Sequence, residues 1–258
     1  MDDVIDVSTG SGFSMALRSD GSLWTWGSNN HGQLGNGIIR AWDDAVHEPT
    51  KIMENIVAIS AGSSHATAID TDGNLWIWGR NFNGALGMGQ TPARLPNSPE
   101  PLLVLENVVS VSAGRHHTLA IRDDGSLWAW GMNNESQIGT GSASPSRNTP
   151  VEIQIDGNVR TVVAGSGHSF AITSDGNLWA WGDNSDRGLG HDAVTAILHN
   201  PTIVMQDVIA VSSGSRYTMA QRTDGSLWVW GRTQPTVEGP RTDVTIPLTR
   251  LADGVRLP

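Results

Sequence analysis

One phrase, written five times, constrains this chain more than anything else in it. Asp-Gly, a small polar residue, Leu, Trp, any residue, Trp and Gly begins at Asp20, Asp72, Asp124, Asp175 and Asp224. The glycines at 21, 73, 125, 176 and 225 are 52, 52, 51 and 49 residues apart, so ten of the 11 tryptophans keep a period near 51 and only Trp42 lies outside it. Self-similarity at such a period means one supersecondary unit stacked on copies of itself.

Each unit reads as strands. Ile56 to Gly62 and His65 to Ile69 precede Asp72-Gly73, which sits between two apolar runs and predicts a tight hairpin turn with glycine at positive φ. The next run, Leu75-Trp76-Ile77-Trp78, is apolar on both faces at period 2, so that strand needs cover on both sides. After Trp-Gly comes a stretch rich in Asn, Gly and Pro, then a fourth apolar run opened by a proline, as at Pro49, Pro201 and Pro247. Four strands in about 50 residues, repeated radially, predict an all-β fold of β-propeller blades over residues 1–258 as a single domain. Val4, Ile56, Val108, Val159 and Val208 recur three residues before Val7, Ile59, Val111, Val162 and Val211. That spacing breaks period 2 and predicts a bulge or turn. The tail Pro247 to Val255 matches Pro49 to Val57 in phase, so the C-terminal strand is expected to complete the blade that the N-terminus begins and close the ring.

Composition removes several functions. With no cysteine there is no disulfide, no thiolate metal site and no cysteine nucleophile. A net charge of −10, with one lysine, Lys51, among 16 basic residues, is a poor footprint for nucleic acid, and none is expected as partner. No apolar run is long enough to span a membrane as a helix, and Met1-Asp2-Asp3 does not open like a secretory signal. A soluble protein is expected, cytoplasmic or exported with a leader removed.

The combined signature Ala-Gly-x-x-His, then Asp-Gly-x-Leu-Trp-x-Trp-Gly-x-Asn-x-x-Gly-x-Leu-Gly, is best seen from Ala61 to Gly87 and Ala113 to Gly139. It resembles the repeat of the regulator of chromosome condensation family and covers essentially the whole chain. The resemblance implies a propeller of four-stranded blades. The family's founding members resemble seven-repeat rings that serve the Ran GTPase as exchange factors and dock on chromatin. Five repeats, and a degenerate last one at Gly231-Arg232-Thr233-Gln234-Pro235, carry no matched residue for exchange. The Trp-rich, Lys-poor sequence looks more like bacterial members of the family, which resemble surface or secreted binding modules.

A tryptophan identical in every repeat points to blade packing rather than a ligand platform. His65, His117 and His168 share a repeat position with Phe13 and Tyr217, so packing with a local hydrogen bond is expected there rather than metal ligation. No nucleophile-and-base pair, Walker loop or zinc motif occurs, and neither catalysis nor a cofactor is expected. The informative residues are those that break the repeat. In an antiparallel meander the first and third connections emerge at one end and the Asp-Gly turns at the other. Variation concentrates in the former, as a binding face would show. Trp42, Phe82, Arg115, His116, Arg216, His31 and Arg187 are the candidate partner-binding residues.

The leading expectation is a monomeric, non-enzymatic propeller that binds another protein through that end. Two alternatives stand beside it: a carbohydrate or small-ligand binder or lytic enzyme using Asn and His side chains at a channel mouth, and a repeat fragment of a larger bacterial surface or secreted protein.

Overall fold

The structure, a computed structural model, describes residues 1–89, 96–190, 196–233 and 244–252. Five four-stranded antiparallel sheets use the strands in chain order. The first is β1 (Val4–Thr9), β2 (Phe13–Arg18), β3 (Leu23–Gly27) and β4 (Val46–Met53). The second is β5 (Ile56–Ala61), β6 (His65–Asp70), β7 (Leu75–Gly79) and β8 (Ser98–Leu105), and the third β9 (Val108–Ala113), β10 (His117–Arg122), β11 (Leu127–Met132) and β12 (Ser146–Ile153). The fourth is β13 (Val159–Ala164), β14 (His168–Thr173), β15 (Leu178–Asp183) and β16 (Ile197–Met205), and the fifth β17 (Val208–Ser213), β18 (Tyr217–Arg222), β19 (Leu227–Thr233) and β20 (Val244–Ala252). Two compact units are distinguished. Met1–Asn133 with Pro145–Glu152 holds the first three sheets except Ile153, and Asn134–Ser144 with Ile153–Pro258 holds the fourth and fifth.

The five Asp-Gly phrases are the turns between the second and third strands, with glycine at φ 78°, 79°, 81°, 85° and 78°. The aspartate before each glycine keeps negative φ. Arg18 O accepts the Gly21 N–H at 2.9 Å, so the chain turns over Ser19 and Asp20 into a left-handed glycine, the tight hairpin turn with glycine at positive φ that the phrase predicts. Its polar residues form a relay. Asp20 accepts hydrogen bonds from the Ser22 backbone N–H at 2.9 Å and from the Ser22 hydroxyl, while that hydroxyl accepts the Trp24 indole N–H at 2.9 Å. Asp124-Ser126-Trp128 and Asp224-Ser226-Trp228 place their indoles alike. These serine hydrogen bonds hold the three carboxyls below their ordinary pKa. Where asparagine replaces serine the indole finds another acceptor, Asp70 Oδ2 at 2.8 Å for Trp76 and Thr173 Oγ1 at 3.3 Å for Trp179. Repetition of the phrase thus reflects a self-contained turn.

The broken period in the first strands is a bulge. Ile56 faces Asp70 while Ala58 faces Ile69, so Val57 is the extra residue, and the same shift falls at Ile5, Val109, Arg160 and Ile209. It leaves Val57 and Val109 exposed while Ile56 and Ile59, three apart, both turn inward. In the first unit Ile56 and Ile59 pack into one cluster with Met15, Leu17, Leu23 and Trp78, joining the first and second sheets. The equivalent residues of β1 differ: Val4 is 39% and Val7 64% exposed, against 3% for Ile56 and 8% for Ile59.

One expectation is corrected. The strand carrying Pro247 is the fourth of its own sheet, paired to β19 from Leu227↔Ala252 to Thr233↔Val244, while β1 to β4 complete the first sheet by themselves. No blade among the described residues is shared between the ends of the chain. The phase match of tail and Pro49 to Val57 reflects a strand common to every repeat, and residues 253–255, like Gln234 and Pro235, lie outside the described residues. The prolines of the fourth strands fall on sheet edges, where a missing N–H costs no ladder bond.

Candidate functional site

The first and third connections meet at one end of each sheet, since the residue after Trp-Gly donates its N–H to the first connection. Ser28 bonds Gly12 O, Arg80 Ser64 O, Met132 His116 O, Asp183 Gly167 O and Arg232 Arg216 O, all at 2.7–2.9 Å. The opposite end carries the Asp-Gly turns, braced by the links to the following strands through Ile56 N–H to Gly21 O and Val208 N–H to Gly176 O.

A shared frame holds the third connections. The first asparagine after Trp-Gly is buried and turns inward: Asn29 Oδ1 accepts the Leu34 N–H, Asn81 the Leu86 N–H and Asn184 the Leu189 N–H, at 3.0, 3.0 and 3.2 Å. The second tryptophan of the following sheet clamps the same turn. Trp78 donates to Gln33 O, Trp130 to Ala85 O, Trp181 to Gln137 O and Trp230 to Gly188 O, at 2.8–3.0 Å. The glycine ending Gly-x-Leu-Gly lies flat on that indole, and a Cβ on Gly87 would stand 3.0 Å from the Trp130 ring. Asn29, Asn81, Asn133 and Asn184 are buried, so these members of the variable stretches are scaffold and not binding surface. His65 and His168 are buried too, with Nε2 bonded to Thr118 Oγ1 at 3.1 Å and to Ser213 Oγ at 2.6 Å. Burial pushes His65 down to about 3 and His168 to about 4, so both are neutral near pH 7. The Asn and His side chains that suggested a ligand at a channel mouth are thereby largely used within the fold.

What remains free to vary falls into a group on each unit. On the first unit Phe82 opens a short 3-10 turn (Phe82–Gly84) and stays 40% exposed. Its ring lies 4.8 Å from that of His116, and the Arg80 guanidinium carbon sits 4.9 Å from its centroid. Arg115, beside His116, is exposed. Burial first, then Arg115 and Arg80, push His116 down to about 4, so the charge of the group near pH 7 comes from the two arginines. Burial and then Arg80 also lower the pKa of His31, which places His31 within the field of the same guanidinium. His31 meets Trp42 edge-on at 6.0 Å. Trp42 stays 83% exposed on its insertion, where Arg40 grips Asp44 through 2.9 and 3.0 Å contacts. It does not fold down onto its sheet.

On the second unit Arg216 and Arg232 share one carboxylate, Asp186, at 3.6 and 3.1 Å. Arg187 follows in the left-handed region at φ 56°, a place taken by Gly32 and Gly84 in the first two repeats, and its side chain is exposed. Trp42 with His31, and Phe82 with His116 and Arg115, are therefore brought together, while Arg216 is held by an acid. Sequence reasoning missed Arg80, and it took Asp186 as part of a solvated turn and not as the partner of Arg216 and Arg232. The signal for Arg80 was its place directly after Trp-Gly, where every other repeat but the last has an uncharged or acidic residue.

Within each unit, four-stranded meanders that follow one another pack through their first strands, β1 on β5 and β5 on β9 in the first and β13 on β17 in the second, as propeller blades do. The chain belongs to the family of the RCC1-like domain, whose description matches residues 1–249. Protein pim1 of Schizosaccharomyces pombe is 30% identical over 227 residues, 80% of this chain and 42% of that protein. The human E3 ubiquitin-protein ligase HERC2 is 31% identical over 187 residues, 70% of this chain but 4% of the ligase. The chain thus spans under half the length of these relatives. Among solved structures, human WBSCR16 superposes with a TM-score of 0.80 at 20% identity, covering 96% of this chain and 68% of that one. Yeast RCC1 (Prp20), solved bound to Kap60, gives 0.67 at 20% identity over 88% and 70%. At such identities these structures speak for the fold. The relatives named here are eukaryotic and lend no support to a bacterial-type assignment. Among the described residues no helix is long and apolar enough to cross a membrane.

Proposed function

We propose that this chain is a non-enzymatic protein-binding module that engages its partner through the end of the sheets bearing the first and third connections. One observation carries the reading: buried asparagine, leucine and tryptophan hold the connections alike from repeat to repeat, while Trp42, Phe82, Arg115, His116 and Arg187 differ and lie at least partly exposed. A rigid frame that presents unlike aromatic and arginine side chains suits an interface, where such residues supply most of the binding energy. The related yeast RCC1 is solved in complex with another protein, Kap60, which agrees with a binding role for this fold. Affinity capture from the source organism, comparing the wild type with a Trp42→Ala, Phe82→Ala, Arg115→Ala, Arg216→Ala variant of unchanged melting temperature, tests it. A protein identified by mass spectrometry on the wild type and lost from the variant is the expected result. Equal retention by both overturns the assignment of this face.

A further inference from the structure

The two arginines on the first unit have a property that their counterparts on the second lack. Arg80 and Arg232 occupy the same repeat position, each directly after Trp-Gly. Arg232 is neutralised by Asp186, together with Arg216. Arg80 instead lies over the Phe82 ring, and among the described residues neither it nor Arg115 pairs with a carboxylate. In a chain of net charge −10 this is a local reversal of sign, set beside an exposed aromatic ring and a half-buried imidazole. A guanidinium over an aromatic ring keeps its charge and N–H donors for a carboxylate.

We infer that Arg80, Phe82, Arg115 and His116 form a docking site for a short acidic segment of another protein, with a Glu or Asp carboxylate on the arginines and a neighbouring apolar side chain against Phe82. The inference rests on the protein-binding role proposed above and names the chemistry of the partner. Charge complementarity selects this occupant: an acidic chain repels other acidic segments everywhere except where unpaired arginines gather, and steering by such a patch favours carboxylates. Neutral His116 adds no charge near pH 7 but offers a ring nitrogen and an apolar edge to the same segment.

The test is fluorescence anisotropy with a labelled peptide of Glu-Phe-Ser-Glu-Leu-Ser written twice, its Gln-for-Glu isostere, and that isostere phosphorylated on serine. The Glu peptide is expected to bind at least about fivefold tighter than the Gln peptide, and Arg80→Gln or Arg115→Gln to weaken it by about fivefold each, the upper range for exposed ion pairs. Arg18→Gln and Arg222→Gln, both at the Asp-Gly end of their sheets and paired with Asp3 and Asp207, are expected to leave affinity within about twofold. All variants are surface changes, and thermal melts check that each is folded. Equal affinity for the Glu and Gln peptides, no binding of either at millimolar peptide, or affinity untouched in both arginine variants overturns the inference. Binding of the phosphorylated peptide alone also overturns it, in favour of a phosphate reader. If the four-site variant loses its captured protein while the Glu and Gln peptides bind alike, the binding face stands and only the acidic-segment assignment falls.

Discussion

Arg80 and Arg232 begin the same connection in two repeats and end in opposite circumstances. On the first unit the guanidinium lies over Phe82, whose ring also meets His116, and among the described residues it pairs with no carboxylate. On the second it closes on Asp186, which also takes Arg216. The backbone leading into both is alike, with Arg80 N–H bonded to Ser64 O and Arg232 N–H to Arg216 O, both at 2.8 Å. The difference lies in what each guanidinium meets: Phe82 of its own connection for Arg80, and Asp186 of the preceding repeat's connection for Arg232. In a repeat protein the frame can be shared while one acid, present or absent, decides whether an arginine is available to a partner.

The largest expected effect comes from removing the frame. Trp130 clamps the turn that carries Phe82, and Trp230 the turn that carries Asp186, each through its indole N–H and each fully buried. Trp130→Ala or Trp230→Ala is expected to cost about 3–5 kcal/mol in urea unfolding, as for a core aromatic. Only Trp130→Ala should also abolish acidic-peptide binding at temperatures where the protein stays folded. Equal loss in both variants would break the comparison between the two groups.

Acid tests a feature that the two units share. His65 and His168 are neutral when folded, with pKa values pushed to about 3 and about 4 from the ordinary 6.5. As pH falls below 6.5 the unfolded chain binds these protons and the folded chain does not, so stability is lost from about pH 6.5 down to about pH 4. By pH 4 the loss is about 3 kcal/mol per histidine, at 1.36 kcal/mol for each pH unit. His65→Phe, the exchange already present at Phe13, should flatten the profile between pH 6.5 and 4. A profile as steep as the wild type's would show that other groups govern acid unfolding.

The smallest change in stability is expected from Asp186→Asn, which releases Arg216 and Arg232 from a surface pair at a cost of about 1 kcal/mol or less. It should sharpen the comparison by making the second unit resemble the first. The acidic peptide is expected to gain a second, weaker site on this variant, seen as a raised stoichiometry in titration calorimetry. Unchanged stoichiometry would mean that the ring of Phe82, and not the open arginines alone, defines the site.

Much of this was written in the chain. The five phrases located the turns, the two-sided strands and the family, and the break in period from Ile56 to Ile59 announced the bulge that turns Val57 outward. Trp42, Phe82 and His116 stood out because they depart from the repeat. Arg80 did not, and the role of Asp186 did not, since a charged residue in a polar stretch does not show its partner until its neighbours in space are known.

By itself the sequence determined what is periodic: strand pattern, glycine at positive φ and the alternation of tryptophans are local matters, repeated until unmistakable. The tertiary structure decided which asparagines vanish into turns, that the proline-bearing tail strand belongs to its own blade, and which arginines keep a free charge. Those outcomes depend on contacts between residues far apart in the chain, such as Trp130 with Ala85, His116 with Phe82 and Arg232 with Asp186. Periodicity along a sequence reports how each repeat folds, but charge pairing is set by distances of a few ångströms across connections that the period does not relate.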